Sequence, residues 1–331
     1  LDALAASHLH RERRTSIEAF CGMRRDSSLA FAAVLLAALT LNNEAVADAV
    51  ALPPLGLGNT SFMDGVAGPG KLFELPLQVN HANEIKDAGG HAVSGRQRIN
   101  SVSVLPHFAY ISNTRILGAY YGAEVLLPLV RLDLDIDNGP RGTRTRQGDM
   151  IVSPLLLQWE PVQLLGRPFW QRLNFVFSLP TGDYDDDASI NVGSNVWVFN
   201  PHYAFTWELS NRLEFSGRVH YAWSSRNNRP SSALGADDVQ PGQAFHANYS
   251  LSYALDDAWR VGLAGYYLAQ TTDDRIDGRR QSGSRERVTG LGPGAMYRNG
   301  RQTFFANLYV ESGARNRAEG TQLTLRYLYT F

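Results

Sequence analysis

Several segments of this chain alternate apolar and polar residues with a period of two, over lengths that soluble strands rarely reach. In 195–209, Trp197, Phe199, Tyr203, Phe205, Trp207 and Leu209 oppose Asn200, His202, Thr206 and Glu208. In 211–225, Leu213, Phe215, Val219, Tyr221 and Trp223 oppose Arg212, Glu214, Ser216, Arg218 and His220. The pattern returns in 172–179 and 244–255. It ends the chain in 321–331, where Leu323, Leu325, Tyr327, Tyr329 and Phe331 share one face and Gln322, Thr324 and Arg326 the other, with Leu328 the exception. Period-two alternation means strands with one oily and one wet face. Globular strands average about 5–6 residues, whereas a tilted strand crossing a bilayer needs about 9–11.

Twelve strands are predicted, at about 71–80, 98–112, 115–136, 148–160, 169–180, 193–209, 211–225, 241–255, 258–271, 285–297, 300–311 and 320–331. Short connections (Asn113-Thr114, 161–168, Ser210, Asp256-Asp257 and Arg298-Asn299-Gly300) alternate with long ones (81–97, 137–147, 181–192, 226–240, 272–284 and 312–319). The expected fold is all-β, a transmembrane antiparallel up-and-down barrel of about 12 strands, with tight turns at one end and longer loops at the other. An open edge in lipid would leave backbone groups unpaired at several kcal/mol each. Closure therefore requires Leu72–Val79 to pair with 321–331. The terminal Phe331, with apolar residues at every second position before it, resembles the assembly signature of outer-membrane barrels.

Composition agrees. A hydrophobic fraction of 44% is too low for a helical membrane protein but suits a barrel, since only alternate residues meet lipid. The net charge of -1 gives no broad attraction to nucleic acid.

The N-terminus reads as an export address. Met23-Arg24-Arg25 precedes an apolar run from Leu29 to Leu41, and Ala45-Val46-Ala47 supplies the small residues of a cleavage site. A signal peptide over 23–47 with cleavage before Asp48 is expected, residues 1–22 reading as an over-extended start. Cys21, the single cysteine, would leave with it, so neither a disulfide nor a thiolate metal site is expected. Residues 48–70 are rich in Gly and Pro without a strand pattern and form either a lumen plug or a periplasmic segment. The barrel proper is expected over 71–331.

Two stretches carry a family resemblance. Pro180-Thr181-Gly182-Asp183-Tyr184, followed by Asn191, Gly193, Asn195 and Trp197, is one. Gly58-Asn59-Thr60-Ser61-Phe62 with Gly65 and Gly68-Pro69-Gly70 is the other. Both resemble the outer-membrane family called phenol meta-pathway degradation proteins. The resemblance implies a transporter of hydrophobic or aromatic compounds.

Charged residues on wet faces should point inward, because mid-bilayer Arg facing lipid costs roughly 2–4 kcal/mol. Candidate lumen-lining residues are Arg131, Asp133, Asp135, Arg172, Asn174, His202, Glu208, Arg212, Glu214, Arg218, His220, Arg260 and Arg326. Arg131, Asp133 and Asp135 read equally well as a strand emerging above the membrane. The other cations are expected to pair with Glu208 and Glu214. Val176, Phe305, Tyr309 and Leu328 fall on inward faces and either line an apolar strip or merely fill a packed interior. Trp159, Trp170, Trp207, Trp223 and Trp259 lie near strand ends, where interfacial girdles favour such rings. Asp183, Asp185 and Asp187 are spaced like a calcium loop, but Ala188 and Ser194 occupy the positions that need Gly and Glu. A solvated loop is expected there.

No hydrolase or phosphate-loop motif occurs, and no cofactor, metal or catalytic residue is expected. The expected function is passive diffusion of small hydrophobic or aromatic molecules through a lumen in the bacterial outer membrane. Expected partners are outer-membrane lipid, lipopolysaccharide and, through Phe331, the barrel-assembly machinery. The alternatives are a structural or adhesion barrel, or a barrel enzyme acting on lipid.

Overall fold

The computed structural model describes residues 50–331. The leader expected over 23–47, its cleavage point before Asp48 and residues 1–22 lie outside them. The strands follow in chain order: β1 Gly70–Lys86, β2 Gln97–Val104, β3 His107–Ile116, β4 Ala119–Leu126, β5 Leu129–Ile136, β6 Arg141–Gln147, β7 Ile151–Leu164 and β8 Arg167–Ser178. After these come β9 Val198–Phe199, β10 His202–Glu208, β11 Leu213–Ser224, β12 Val239–Gln240, β13 Ala244–Ala254 and β14 Trp259–Gln270. The last five are β15 Arg275–Ile276, β16 Arg279–Arg280, β17 Arg287–Asn299, β18 Gln302–Arg315 and β19 Arg317–Thr330.

Neighbouring strands pair antiparallel in the ring β1, β3, β4, β7, β8, β10, β11, β13, β14, β17, β18, β19, which closes back on β1. This is a twelve-stave barrel among the described residues. Its seam runs from Leu72 opposite Thr330 to Val79 opposite Leu323 and beyond, the pairing that closure demands. No helix among the described residues is long and apolar enough to cross a membrane. The alternation reads directly as two faces. On β19, Gln322, Thr324 and Arg326 are buried inside, whereas Leu323 and Leu325, like Phe331 just beyond it, are exposed.

Proline interrupts several staves. Lacking an N–H, it cannot complete the ladder. Pro106 separates β2 from β3, Pro128 separates β4 from β5, and Pro201 separates β9 from β10. The gaps are bridged obliquely: Leu105 N–H donates to Pro76 O (2.9 Å), Leu127 N–H to Pro106 O (3.0 Å) and Gly148 N–H to Pro128 O (2.9 Å). Past this line β1, β2, β5 and β6 continue as an extension of the wall, with β6 its free edge.

The turns differ from expectation at several places, β1 running on to Lys86 and β7 to Leu164 inside expected connections. Asn113-Thr114 lies within β3, and the chain reverses at Leu117-Gly118 instead, both with positive φ (52° and 77°). Such a pair suits the right-handed twist of a hairpin, but Leu is a rare occupant of that conformation. Most of 137–147 is the strand β6, leaving a turn at 137–140, and 312–319 is mostly strand with a turn at Asn316. Arg141-Gly-Thr-Arg-Thr-Arg-Gln147 has no apolar face and so carries no strand signal, yet it pairs with β5 from Leu129 to Asp135. The strict short–long alternation is therefore not kept.

Candidate functional site

Residues 50–69 enclose no strand of the ring; they run through its interior. They are held by side chains that point inward from staves on every side. Gly58 N–H donates to Asn248 Oδ1 (2.9 Å), Gly65 N–H to Thr206 Oγ1 (2.8 Å) and Leu52 N–H to Glu286 Oε1 (2.7 Å). Gln78 and Gln322 both donate to Leu57 O, each at 2.9 Å. Gly58 is needed by close approach, since a Cβ there would stand 2.3 Å from Gln322 Nε2 and 2.9 Å from the Tyr309 ring.

The lumen has two unlike arcs. One is apolar: Tyr266, Leu268, Val288, Met296, Phe305 and Tyr309 are buried around Phe62, with Leu52, Leu55, Leu57, Met63 and Leu328 packed on them. Val176 is buried on the far side, on β8.

The other arc is charged. Arg218 grips Asp64 through two hydrogen bonds (2.8 and 2.5 Å), and Arg172 Nη2 stands 3.7 Å from the same carboxylate. His107 bridges Glu74 (3.0 Å) and Glu124 (3.2 Å), Arg326 reaches Glu74 (3.0 Å), and Asn174 donates to Glu124 (2.8 Å). Above the Arg172–Arg218 level, His202, His220 and His246 stack, with ring centroids 4.6 and 4.0 Å apart.

The structure thus brings Arg172, Asn174, His202, Arg218, His220 and Arg326 to the central lumen. Glu208 and Glu214 face each other lower down. Ser216 and Ser252 donate to Glu214, Trp170 Nε1 donates to Glu208 (2.9 Å), and Arg260 donates to Ser252 Oγ (3.1 Å). Neither Glu forms an ion pair with the arginines, contrary to expectation. Register puts them four residues along the strands from the Arg172–Ala204–Arg218 rung, so the cations turn to Asp64 and Glu74.

Arg212 is a further correction: it lies exposed at the turn between β10 and β11, 3.5 Å from Tyr253 Oη. Arg131, Asp133 and Asp135 also leave the lumen, lying on β5 in the extension beyond the proline line. Asp135 pairs there with Arg141 (2.8 Å) and Asp133 accepts from Thr143 (3.2 Å). Trp170 points inward rather than joining a girdle. Asp64, Glu74, His107 and Glu124 were not singled out by sequence. Glu74 sits on the wet face of an expected strand and was discoverable; Asp64 lies in a stretch without periodicity. Among the described residues no group of three His, Cys, Asp or Glu is arranged to hold a metal ion.

The long loops after β8 and β11 are tied to one another and to β6. Gly182 and Gly193 touch backbone to backbone, since a Cβ on either would meet the other at 2.7 Å. Asp149 ties them, accepting Gly182 N–H (2.9 Å), Ser194 N–H (2.8 Å) and the Ser194 hydroxyl. Asp183 of the calcium-like run pairs with Arg144 (2.6 Å), and Asp186 beside it pairs with Arg229 (2.8 Å), so both serve as loop anchors. Asn195 donates to Asn227 (2.8 Å), and Tyr184 Oη donates to Arg229 O (2.7 Å).

A second anchor is Asp274, between β14 and β15. Its Oδ1 accepts Gly242 N–H (2.7 Å) and Gln270 Nε2 (2.5 Å), while Oδ2 has no hydrogen-bond partner among the described residues. Burial pushes this carboxyl up to about 6. The folded loop therefore holds a proton that the free loop releases near pH 4. Stability of the loop is greatest below that pH and falls as pH rises through about 6, by up to ~3 kcal/mol. Amides of 271–286 are expected to lose hydrogen-exchange protection between pH 4.5 and 7 after correction for intrinsic rates, and Asp274→Asn to abolish that change. Equal protection at both pH values in the unsubstituted protein would show that the anchor does not titrate.

Comparisons with known proteins agree with this architecture. An outer membrane channel from Pseudomonas putida F1 superposes with a TM-score of 0.71 at 18% identity, over 85% of this chain and 100% of that one. Looser likenesses are the beta domain of the Bordetella autotransporter BrkA, with a TM-score of 0.46, 12% identity and coverage of 80% and 100%, and a mutant of the TodX monoaromatic hydrocarbon channel, with 0.39, 10% and coverage of 80% and 90%. No curated protein matches the sequence. The sequence model described as "Putative MetA-pathway of phenol degradation" matches residues 82–327. The chain belongs to that family, and its fold is the twelve-strand antiparallel barrel seen in an outer membrane channel.

Proposed function

We propose that this protein is a passive channel of the bacterial outer membrane for small hydrophobic or aromatic compounds. The observation that supports this most is the divided lumen. Its apolar arc, from Leu268 through Tyr266 and Tyr309 to Phe305, offers a ring-sized solute a surface that wall and water do not. Burying an aromatic ring of Phe size is worth about 1.5–3 kcal/mol, enough to favour entry without trapping the solute. The segment 50–69 fills that space, yet it is held by side chains and joins no ladder of the ring. It can shift without breaking the wall.

The test is uptake and growth on an aromatic carbon source at limiting concentration, with and without the protein, beside bilayer recordings. Faster uptake with the protein is expected. Equal uptake in both strains together with no conductance would rule the channel out.

A further inference from the structure

One wall of the lumen presents two cations whose touching counter-ion does not belong to the wall. Arg172 on β8 and Arg218 on β11 lie on one rung, each opposite Ala204 of β10. Ala204 has only a methyl group and is fully buried, so the two guanidinium groups can converge over it. They converge on Asp64, which rides on the lumen segment: Arg172 donates to its main-chain carbonyl (2.8 Å) and stands 3.7 Å from its carboxylate. Arg218 holds it with a two-pronged fork, the geometry of a carboxylate site.

The next rung, ~6.7 Å along the strands, is built of rings. Asn174, His202, His220 and His246 stand directly opposite one another on β8, β10, β11 and β13. All are at least nine-tenths buried. His246 Nε2 lies 3.1 Å from Asn200 Oδ1. The other five imidazole nitrogens have no hydrogen-bond partner among the described residues. Unpaired buried polar groups are costly, a cost that a ligand placed there would offset. In its neutral form each imidazole has one N–H to donate, and the stacked faces accept another flat ring.

We propose that Arg172, Arg218 and this histidine row form a binding site for the carboxylate of a small aromatic acid, which Asp64 occupies as an internal surrogate. The proposal rests on the reading of the lumen as a passage and names the substrate class. The ligand's two carboxylate oxygens take the Arg218 fork. Their remaining lone pairs accept from Arg172 and an imidazole N–H, and the aromatic ring extends the histidine stack. By taking Asp64's place the ligand releases the segment that carries it. A neutral aromatic has no group that competes with Asp64.

The experiment is calorimetric titration of the detergent-solubilised full protein with benzoate and with benzyl alcohol, repeated on Asp64→Asn and Arg218→Gln, with heat-modifiable gel mobility reporting the fold. Benzoate is expected to bind more tightly than benzyl alcohol. Asp64→Asn removes the competitor and should strengthen benzoate binding by roughly tenfold or more, leaving benzyl alcohol unchanged. Arg218→Gln should abolish the preference. Should Arg218→Gln fail to fold, the Asp64→Asn comparison decides alone. Equal binding of the two compounds, or benzoate affinity indifferent to Asp64→Asn, overturns the carboxylate site while leaving conduction of neutral aromatics intact. Conductance absent in every bilayer recording would instead remove the channel reading on which it rests.

Discussion

Deleting residues 52–67 is expected to raise single-channel conductance severalfold while the barrel still assembles. Every rung of the ring joins residues from Gly70 onward, so the deletion removes no ladder hydrogen bond. It does remove Phe62, which is 1% exposed, and the carboxylate of Asp64. Loss of a buried Phe side chain typically costs about 3–5 kcal/mol, but here water can enter the space left. The freed Arg172 and Arg218 become hydrated rather than stranded. Barrels of eight strands are filled by side chains and those of sixteen or more hold open water; twelve lies between, and the segment decides on which side. Planar-bilayer recordings check this, with heat-modifiable mobility confirming assembly. Unchanged conductance in an assembled deletion variant would mean that the remaining side chains already close the lumen.

Glu74→Ala should be the most destabilising single substitution in the charged arc. Glu74 lies on β1, opposite Leu328 of β19 and His107 of β3, at the closing seam. It accepts from Arg326 and from His107, both at 3.0 Å. Replacing it with a methyl strands a buried guanidinium, and breaking a buried pair from one side costs about 3–5 kcal/mol. Glu74→Gln keeps the shape and one acceptor oxygen and should cost less. Urea unfolding in detergent micelles, followed by strand circular dichroism, measures both. A Glu74→Ala midpoint within error of the unsubstituted protein would show that Glu124 alone can hold the arc.

The staves were legible because lipid outside and polar groups inside impose opposite demands on successive residues. That signal fades where the sheet leaves the bilayer. Arg141–Gln147 and the ends of β18 and β19 are polar on both faces, so they read as loops although they are paired. Inward direction was legible too, at Arg172, His202, Arg218 and Arg326, but partnership was not. Which carboxylate meets Arg218 depends on register between strands and on where a segment without periodicity settles. Asp64 therefore carried no sign of its role, and Glu208 and Glu214 were the nearer choices by composition. Trp170 shows the same limit: a Trp near a strand end can serve a girdle or, by one step of alternation, face the lumen as donor to Glu208.

The seam between β1 and β19 also bears on how the barrel comes to exist. Glu74 and Arg326 are 252 residues apart in sequence, and no local contact prepares their meeting. Such long-range pairing is intrinsically slow to form, because loop entropy is lost before contacts reward it. The lumen segment is continuous with β1 and touches residues as distant as Gln322 and Arg326, so its final contacts await the last strands. Until the seam shuts, β1 and β19 each present a bare edge of backbone donors and acceptors, the kind of edge on which another chain can add a strand. Assembly is therefore a race between the chain's own last strand and any competing one, and its outcome depends on how quickly β19 arrives.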